Sequence, residues 1–464
     1  MGWEGLDFTY IPLSKEQVVA ELELLSAPNV FHNGTTHTAS LQPHPNKHTQ
    51  DRHIAENWNL QEDGIWKFRA LFDGHAAGDE TVDYVFSTLP SKIKSSLIAI
   101  PTEERDNAGT ISSMLRDAVS SLDDSIRQGI LELFPSVEHI EKLSDEDIRL
   151  IVNDRPPEQI HRSGATVPSP TGPISLTEKY ADRGSNNIKV TRGMRGTTVL
   201  AVLISPNRGI WTASLGDCQA ILGQQTLSPL HKEPEMKNPS WTKTQLGKNH
   251  NASEPSELAR LKLEHPGEEE FVVEKNRVLG LIAVTRAIGD HQFKLPAIYS
   301  KRIFGLTAPG MNRPEVHLQM LTERVRTPPY VSGVPEVEYV KLGGEAKACL
   351  IMCSDGLMDL YGGEDWQEKH IELKEMFKHW MDQVGEKLDL ALSPSSGALK
   401  LFNGMDNLAL SLIHRGLHGP PISLMGLNWT DEDGLERMSK FLTLRAPEYN
   451  DKWMDDTTVL VEIL

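Results

Sequence analysis

The sequence predicts an α+β fold in which strands and helices form separate layers. The apolar runs are short and β-branched, long amphipathic patterns lie between them, and the two kinds of segment do not alternate regularly. A regular alternation would instead favour a doubly wound sheet. The predicted strands are Trp66–Phe72, Thr198–Ile204, Gly209–Leu215, Ala220–Gly223, Ala348–Ser354 and Thr457–Leu464.

The segments between these strands carry apolar residues at helical spacing, which predicts amphipathic helices. Each one presents an apolar stripe that must pack against another element. These predicted helices are Glu80–Leu89, Ile111–Leu133, Ser256–Leu263, Leu373–Val384 and Asp406–Arg415.

Composition and charge exclude several classes of function. The chain has 464 residues, 39% of them hydrophobic and 24% charged, which is typical of a soluble globular protein with a sizeable core. Its 47 basic and 65 acidic residues give a net charge of −18, which disfavours binding to nucleic acid or anionic membranes. No apolar run approaches the ~18 residues of a membrane span. Cys218, Cys349 and Cys353 are expected to be buried free thiols in a reducing compartment.

The domain organisation is predicted from where the patterned segments lie. Because strand patterns continue to the last residue, we expect one large domain over residues 40–464, preceded by an N-terminal extension over 1–39. A stretch rich in Pro, Gly, Ser and Arg predicts a surface insertion at about 153–195. The acidic N-terminal segment has the composition of neither a secretory signal nor a transit peptide.

Five histidines lie close together near the N-terminus, and a metal-binding tract is one interpretation of such a segment. Their spacings of four to seven residues, without cysteine, match no standard metal site. The sequence therefore favours an ordinary solvated loop. These residues are His32, His37, His44, His48 and His53.

The positions of aspartates relative to the strands carry the functional signal. Asp73, Asp217 and Asp355 each follow a predicted strand closely, and Asp455 precedes the last one. A carboxylate at the end of a buried strand is held by a rigid element at the edge of the sheet, where a cation could bind. A neighbouring glycine lets a backbone carbonyl approach the same ion. Oxygen ligands without Cys or His select hard ions such as Mg or Mn.

Six short motifs follow one another along the chain, most of them around these aspartates. In composition and order they resemble the motifs of metal-dependent protein Ser/Thr phosphatases, the type 2C or PPM family, over residues from about 40 to the end. The motifs are Leu71–His75, Gly196–Thr198, Ala213–Asp217, Thr285–Asp290, Cys353–Gly356 and Asp455–Thr458.

Further segments are similar to the pyruvate dehydrogenase phosphatase branch of that family. Asn46, four residues before Gln50, also matches this branch, because general type 2C enzymes carry a phosphate-binding arginine there. The other segments are His250-Asn251, Glu257–Pro266, Arg277–Leu281, Thr327–Tyr330 before Pro335–Val337, and Asp456 directly after Asp455.

The resemblance implies a fold and a set of roles. The fold would be a central antiparallel β-sandwich flanked by helix pairs, with large insertions and the metal site at one end. Two Mg or Mn ions, with a possible weaker third, would bind at Asp73, the Gly74 carbonyl, Asp355 and Asp455, with Asp217 and Asp359 serving the third. His75 would be the general acid, whereas Asp290 matches no ligand and is interpreted as a structural turn residue.

One position departs from the family pattern. Gln50 stands where the family has a metal-binding glutamate, so we expect an amide oxygen in the shell of the second ion. Arg52 is near the site in sequence, but a structural role is as good an interpretation as a role in binding phosphate.

The expected activity is the metal-dependent hydrolysis of phosphoserine and phosphothreonine in proteins, with pyruvate dehydrogenase as the substrate that the branch implies. The branch also implies the mitochondrial matrix, with the cytoplasm as the alternative. A general type 2C phosphatase of cytosolic signalling is the alternative enzyme. A phosphoprotein-binding pseudophosphatase scaffold is the non-enzymatic alternative, and the retained Asp73, Asp355 and Asp455 argue against it.

Overall fold

The structure is a computed structural model of the chain. It describes residues 9–44, 46–60, 63–76, 78–154, 179–226, 240–310, 315–344, 347–363, 371–391, 406–419, 428–444 and 453–464.

Two antiparallel sheets form the centre of the molecule. In the described part of the chain, the first sheet has five strands, in the spatial order β14-β8-β7-β4-β3. These are β3 (Arg52–Asn59), β4 (Ile65–Phe72), β7 (Val199–Ile204), β8 (Gly209–Leu215) and β14 (Glu336–Lys341).

The second sheet has six strands within the same described ranges, in the order β1-β2-β16-β15-β9-β10. The strand nearest the C-terminus therefore pairs on both sides, with β2 and with β15. These strands are β1 (Asn29–Phe31), β2 (Thr36–Leu41), β9 (Gln219–Thr226), β10 (Ser240–Leu246), β15 (Ala348–Cys353) and β16 (Thr457–Ile463).

The two sheets pack face to face, and the alternation of side chains along each strand decides which residues meet. In β4, Leu71 points between the sheets, whereas Phe68 and Phe72 point to the outer face. In β16, Leu460 points between the sheets, whereas Val459 and Val461 point outward. This two-residue period gives both sheets two apolar faces. Both outer faces must therefore be covered.

Helices cover both outer faces, so the molecule has four layers. The outer face of the five-stranded sheet packs against α2 and α3, and that of the six-stranded sheet packs against α1 and α9–α12. The helices are α1 (Lys15–Ser26), α2 (Glu80–Ala99), α3 (Ala108–Leu133), α4 (Val137–Lys142), α5 (Asp145–Val152), α6 (Ser185–Met194), α7 (Pro255–Glu264), α8 (Glu315–Arg324), α9 (Asp355–Gly362), α10 (Leu373–Ala391), α11 (Leu408–His418) and α12 (Asp431–Thr443).

A smaller lobe carries α7, α8 and a hairpin of β11 (Val273–Glu274) and β12 (Arg277–Val278) around its own apolar cluster. At its centre, Tyr330 stacks on His265 with the ring centroids 4.2 Å apart. The Tyr330 hydroxyl donates a hydrogen bond of 2.6 Å to Glu268. A third, small sheet joins β5 (Gly74–His75), β6 (Gly196–Thr197) and β13 (Ile288–Gly289).

Local sequence explains where many of the helices begin. Ser14, Ser144 and Thr430 each accept a hydrogen bond from the third helical residue, whose side chain bonds back to the cap backbone. These are capping boxes, which satisfy two of the free N–H groups at a helix start. Among the described residues, no helix is both long and apolar enough to cross a membrane.

The predicted α+β fold is confirmed, and the six predicted strands and five predicted helices all form. Two helices are longer than predicted: α2 continues past the predicted end at Leu89 to Ala99, and α10 past Val384 to Ala391. The prediction of a solvated histidine-rich loop is right for His48, whose side chain is 76% exposed outside any helix or strand, and wrong for three of the other histidines. His37 lies in β2 with no exposed surface, His53 lies in β3, and His44 is 5% exposed. The strand β2 was not predicted because its residues Thr36 and Thr38 are polar. In the fold they are buried by the opposing sheet and by α11.

Both the predicted N-terminal extension and the predicted insertion contain helices or strands that pack on the rest of the molecule. Within residues 1–39, α1, β1 and most of β2 belong to the six-stranded side of the molecule. Within the predicted insertion at about 153–195, α6 is a helix packed on α2 and α3, and residues 155–178 lie outside the described ranges.

A buried ion pair ties the two sheets together. Arg69 of β4 and Glu462 of β16 have no exposed side-chain surface, and Arg69 Nε lies 2.9 Å from Glu462 Oε2. Lys67 Nζ lies 2.6 Å from the other oxygen of the same carboxylate. The remaining N–H groups of Arg69 donate to the carbonyl oxygens of Glu56 and Phe68, to Asn57 Oδ1 and to Thr36 Oγ1. Such a pair is tolerated in a core because its hydrogen bonds are satisfied.

The first prediction concerns this pair. Arg69→Met should lower the free energy of unfolding by about 3–5 kcal/mol, because it leaves the Glu462 charge buried with less compensation. The double variant Arg69→Met/Glu462→Met should recover most of that loss, since it removes both charges. Urea unfolding measures both, with the exposed Arg127→Met as a control expected within about 0.5 kcal/mol of wild type. A double variant no more stable than the single one would contradict this account.

Candidate active site

The aspartates predicted from the strand ends meet at one end of the sandwich. Asp73 follows β4, Asp217 lies two residues after β8, and Asp355 begins α9 two residues after the last residue of β15. Carboxylate oxygens of these three residues all lie within 4.8 Å of one another. Asp455, just before β16, lines the same cavity of about 870 Å³, together with His75 and Gln50. The antiparallel pairing puts these strand ends at the same edge.

Backbone hydrogen bonds and close packing fix Asp73 and Gly74. The Asp73 N–H donates to Thr198 Oγ1 at 3.1 Å, and the Thr198 N–H donates to the Asp73 carbonyl at 2.9 Å. A Cβ atom at residue 74 would lie 2.8 Å from the Gln50 carbonyl oxygen and 2.9 Å from Val82. Glycine is therefore required at this position by space alone.

The turn that carries Asp217 is set by its neighbours. Gly216 has a φ of +108°, a conformation that L side chains rarely adopt. Its N–H group donates to His250 Nδ1 at 3.4 Å, and Asn251 Nδ2 donates to Asp217 Oδ2 at 3.0 Å. The His250-Asn251 pair thus orients one of the clustered carboxylates.

Two further buried carboxylates lie behind the cluster. Asp51 and Asp456 are 3% and 2% exposed. Asp51 Oδ2 accepts a hydrogen bond of 2.7 Å from Ser354, and Asp456 accepts bonds of 2.7 Å from Gln42 Nε2 and from the Gln50 N–H. Neither residue is among the metal ligands predicted from the sequence. Both carry negative charge close to Asp73.

Crowding and burial shift the titration of the whole cluster. Burial, followed by the charge of Asp456, raises the pKa of Asp51 to about 7. Burial and the neighbouring carboxylates raise the pKa values of Asp73 and Asp355 well above the usual range, and burial raises that of Asp217. Negative charge is therefore costly here unless a cation compensates it.

The donor atoms fit a hard divalent cation. Within the described residues, Asp51 Oδ1, Asp217 Oδ1 and Asp355 Oδ1 are buried and have no hydrogen-bond partner. Buried carboxylate oxygens without partners are rare in proteins unless an ion or water satisfies them. A set of oxygen donors without thiolate suits Mg, Mn or Ca.

Two of the predicted ligands, Asp359 and Gln50, lie outside the group of three clustered carboxylates. Asp359 lies one turn after Asp355 on α9, and its charge contributes to the raised pKa of Asp355, but it is not one of the three carboxylates whose oxygens lie within 4.8 Å of one another. The Gln50 side chain lines the cavity, and its Nε2 donates to the Gly78 carbonyl at 3.0 Å. A glutamate at position 50 could not donate that bond, so the amide has a structural task of its own.

His75 is held by a partner that the sequence analysis interpreted as a turn residue. Its Nε2 lies 2.5 Å from Asp290 Oδ2, and Asp290 has no exposed surface. A Cβ at Gly196 would lie 2.0 Å from that oxygen and 2.1 Å from Nε2, so only glycine allows the contact. Asp290 itself has a φ of +51°. Because 215 residues separate His75 and Asp290, no local pattern signals the pair.

Arg52 has the structural role that was one of its two interpretations. Its Nε donates to Asp83 Oδ1 at 3.1 Å, its Nη1 donates to the Thr49 carbonyl at 2.9 Å, and its Nη2 lies 3.3 Å from Asp79 Oδ2. Burial would raise the pKa of Asp79, but hydrogen bonds from His48 and Lys179 and the charge of Arg52 lower it overall. Arg52 is thus bound to the acidic residues at the start of α2.

The three cysteines are buried and free, as predicted. Burial raises the pKa of the Cys349 thiol to about 12 and that of Cys218, beside Thr198, well above its usual range. Thiolate nucleophiles require the opposite shift. The cysteines therefore supply no nucleophile for this cavity.

Comparisons with known proteins agree with the motifs. Residues 175–367 match the family model of Protein phosphatase 2C. A Protein phosphatase 2C homolog of Schizosaccharomyces pombe is 25% identical over 445 residues, covering 93% of this chain and 80% of that protein.

Two human mitochondrial proteins, [pyruvate dehydrogenase [acetyl-transferring]]-phosphatases 2 and 1, are also similar to this chain. They are 32% and 35% identical over 299 and 195 residues, which is 62% and 41% of this chain. The aligned regions span 51% and 34% of the lengths of these human proteins.

The second prediction concerns the stability of the metal-free protein. The folded pKa values of Asp51, Asp73 and Asp355 lie above the unfolded value near 4, so these groups should destabilise the fold as the pH rises from about 4 through 7. In excess chelator, Asp355→Asn should therefore melt at a higher temperature than wild type at pH 8, and the difference should shrink at pH 5.

Thermal melting with the exposed Asp117→Asn as a control tests this. Added Mg or Mn should raise the wild-type melting temperature at pH 8 by mass action. An Asp355→Asn variant that is less stable than wild type in chelator at pH 8 would show that the cluster is not under electrostatic strain.

Proposed function

We propose that the chain, whose residues 175–367 match the family model of Protein phosphatase 2C, hydrolyses phosphoserine and phosphothreonine in proteins in a metal-dependent reaction. The observation that carries the proposal is the clustering of Asp73, Asp217 and Asp355 at the strand ends, with carboxylate oxygens within 4.8 Å of one another. Among the described residues, Asp217 Oδ1 and Asp355 Oδ1 are buried without a hydrogen-bond partner. Uncatalysed phosphomonoester hydrolysis is extremely slow, so an active site must supply up to ~10²¹-fold acceleration.

In this proposal, Asp73, the Gly74 carbonyl, Asp355 and Asp455 hold two Mg or Mn ions, with Asp217 and Asp359 at a weaker third and Gln50 beside the second. When bound, the ions would activate a water molecule and neutralise charge on the phosphoryl oxygens. The protein contributes rigidity, because each carboxylate is fixed at a strand end or helix start. Asp51 and Asp456 add negative charge from behind, which strengthens cation binding.

His75 would donate the proton that the leaving seryl or threonyl oxygen needs. Its Nε2 lies 2.5 Å from Asp290 Oδ2. The buried Asp290 carboxylate would orient the ring, as a carboxylate orients the histidine of other acid–base catalysts. Asp290 acts through His75 and is therefore a positioning residue.

For the substrate we propose phosphorylated pyruvate dehydrogenase, with the mitochondrial matrix as the location. The support is the similarity to the two human phosphatases named for that substrate, together with the His250-Asn251 pair, which contacts the Asp217 turn. A general phosphatase acting on cytoplasmic signalling proteins is the alternative. It would dephosphorylate unrelated phosphoproteins equally well.

The third prediction tests the activity and the substrate together. The protein should release phosphate from phosphorylated pyruvate dehydrogenase with Mg or Mn and not in excess chelator. Asp355→Asn should lower the rate by at least a factor of about 100, since mutating groups that merely support metal ligands costs about 10–100-fold. Asp117→Asn is the matched control. Activity that survives chelation would overturn the metal dependence, and equal rates on unrelated phosphoproteins would overturn only the substrate.

The fourth prediction separates proton donation from metal binding. His75→Gln should slow hydrolysis of phosphoserine peptides by about 100-fold or more, but that of p-nitrophenyl phosphate much less, because nitrophenolate leaves without a proton. Asp290→Asn should produce the same selectivity with a smaller loss. The double variant should resemble His75→Gln alone, since the two residues act as one unit. Equal losses on both substrates would assign His75 and Asp290 to ion or substrate placement instead.

A further inference from the structure

Phosphate binding in this cavity needs positive charge besides the metal ions. The cavity is lined by four of the clustered carboxylates, and a phosphoryl dianion approaching them is repelled unless cations face it. Asn46 stands where a phosphate-binding arginine is expected by resemblance, and Arg52 is committed to Asp79 and Asp83. Given the proposed phosphatase activity, a side chain other than these two must bind the phosphoryl group.

Most of the basic side chains that line the cavity are neutralised by acidic ones. Lys179 Nζ lies 2.6 Å from Asp79 and 2.7 Å from Asp83. Arg183 forms an ion pair with the buried Glu80, and His48 Nε2 lies 2.8 Å from Asp79. These residues hold one wall of the cavity together, and their charge is already compensated.

Two basic residues on the cavity wall differ from these. Among the residues that the structure describes, Lys47 and Arg277 line the cavity without an acidic side chain in ion-pair contact. Lys47 is half-buried in the segment after β2, and Arg277 is exposed on β12. Both carry charge that is available to a ligand.

The hairpin that carries Arg277 is firmly anchored. Arg324 of α8 donates to Glu274 at 2.6 Å and to the Leu279 carbonyl at 2.9 Å. The next residue, Val278, is fully buried, and its N–H donates to the Ile282 carbonyl at 2.7 Å. The chain from Leu281 to Val284 then lines the cavity beside Arg277. The small lobe therefore presents the guanidinium from a rigid support, which lowers the entropy lost on binding.

We propose that Arg277 binds the phosphoryl group of the substrate from the small lobe, opposite the metal-binding carboxylates. A guanidinium matches two phosphate oxygens with two parallel N–H donors, which a lysine ammonium cannot do. Arg277 would thus supply, from a different element of the chain, the contact that Asn46 cannot make. It would determine affinity for the phosphoryl group and leave the chemical step to the ions and His75.

Inorganic phosphate as a competitive inhibitor tests the assignment, with p-nitrophenyl phosphate and a phosphoserine peptide as substrates and Mn present. Arg277→Ala should raise the inhibition constant for phosphate and the KM for both substrates by about tenfold or more, the effect of losing a charged hydrogen bond, with a smaller change in kcat. Arg277→Lys should fall in between. Arg127→Ala, which removes an exposed arginine of α3, is the matched control and should behave as wild type.

The outcomes separate this proposal from the proposed function. A wild-type protein without metal-dependent phosphatase activity would remove the function itself. If the wild type is active and Arg277→Ala leaves the inhibition constant and the KM values unchanged, only the role of Arg277 is overturned. Lys47→Ala is measured in the same way, and an effect seen in Lys47→Ala but not in Arg277→Ala would also overturn that role. An increase in KM for the peptide alone would also overturn it, because Arg277 would then contact the peptide and not the phosphoryl group.

Discussion

Repulsion among carboxylates at one end of the β-sandwich is the constraint on which the rest of the site depends. Carboxylate oxygens of Asp73, Asp217 and Asp355 lie within 4.8 Å of one another, and Asp51 and Asp456 are buried behind them. Flexible loops would let such charges move apart into water. Here each one is attached to a strand end or a helix start, so the repulsion can be relieved only by protonation or by a cation. The folded protein therefore attracts cations at this site, whereas the separate motifs in an unfolded chain would not.

The same rigidity explains why much of the polar chemistry is carried by long-range pairs. Asp290 reaches His75 through the gap left by Gly196, and Arg69 reaches Glu462 from the opposite sheet. Each pair joins segments that are far apart in sequence and close together only in the folded state. In both cases a buried charge specifies one arrangement of the surrounding strands, since any shift would leave that charge without its partner.

The strands and the clustered aspartates could be predicted from the sequence, because an apolar run followed by an aspartate is a local pattern. β8 was predicted with its observed bounds, Gly209–Leu215. The Asp290 contact could not be predicted, because Gly-Asp is also a common turn and its partner is distant in sequence. β2 was missed for a related reason. Its residues Thr36 and His37 are polar, and only the opposing sheet and the helices reveal that they are buried.

The place of β16 in the six-stranded sheet has a consequence for how the protein is made. This strand lies between β2 and β15, so in the described part of the chain β1 and β2 join the rest of the sheet through residues 457–463. During synthesis the ribosome must therefore deliver those residues before the sheet can close, and until then β2 and β15 expose unpaired edges that invite aggregation. Asp455 and Asp456 are synthesised immediately before these residues. A chain that terminates before residue 455 would lack both a closed sandwich and a complete carboxylate cluster.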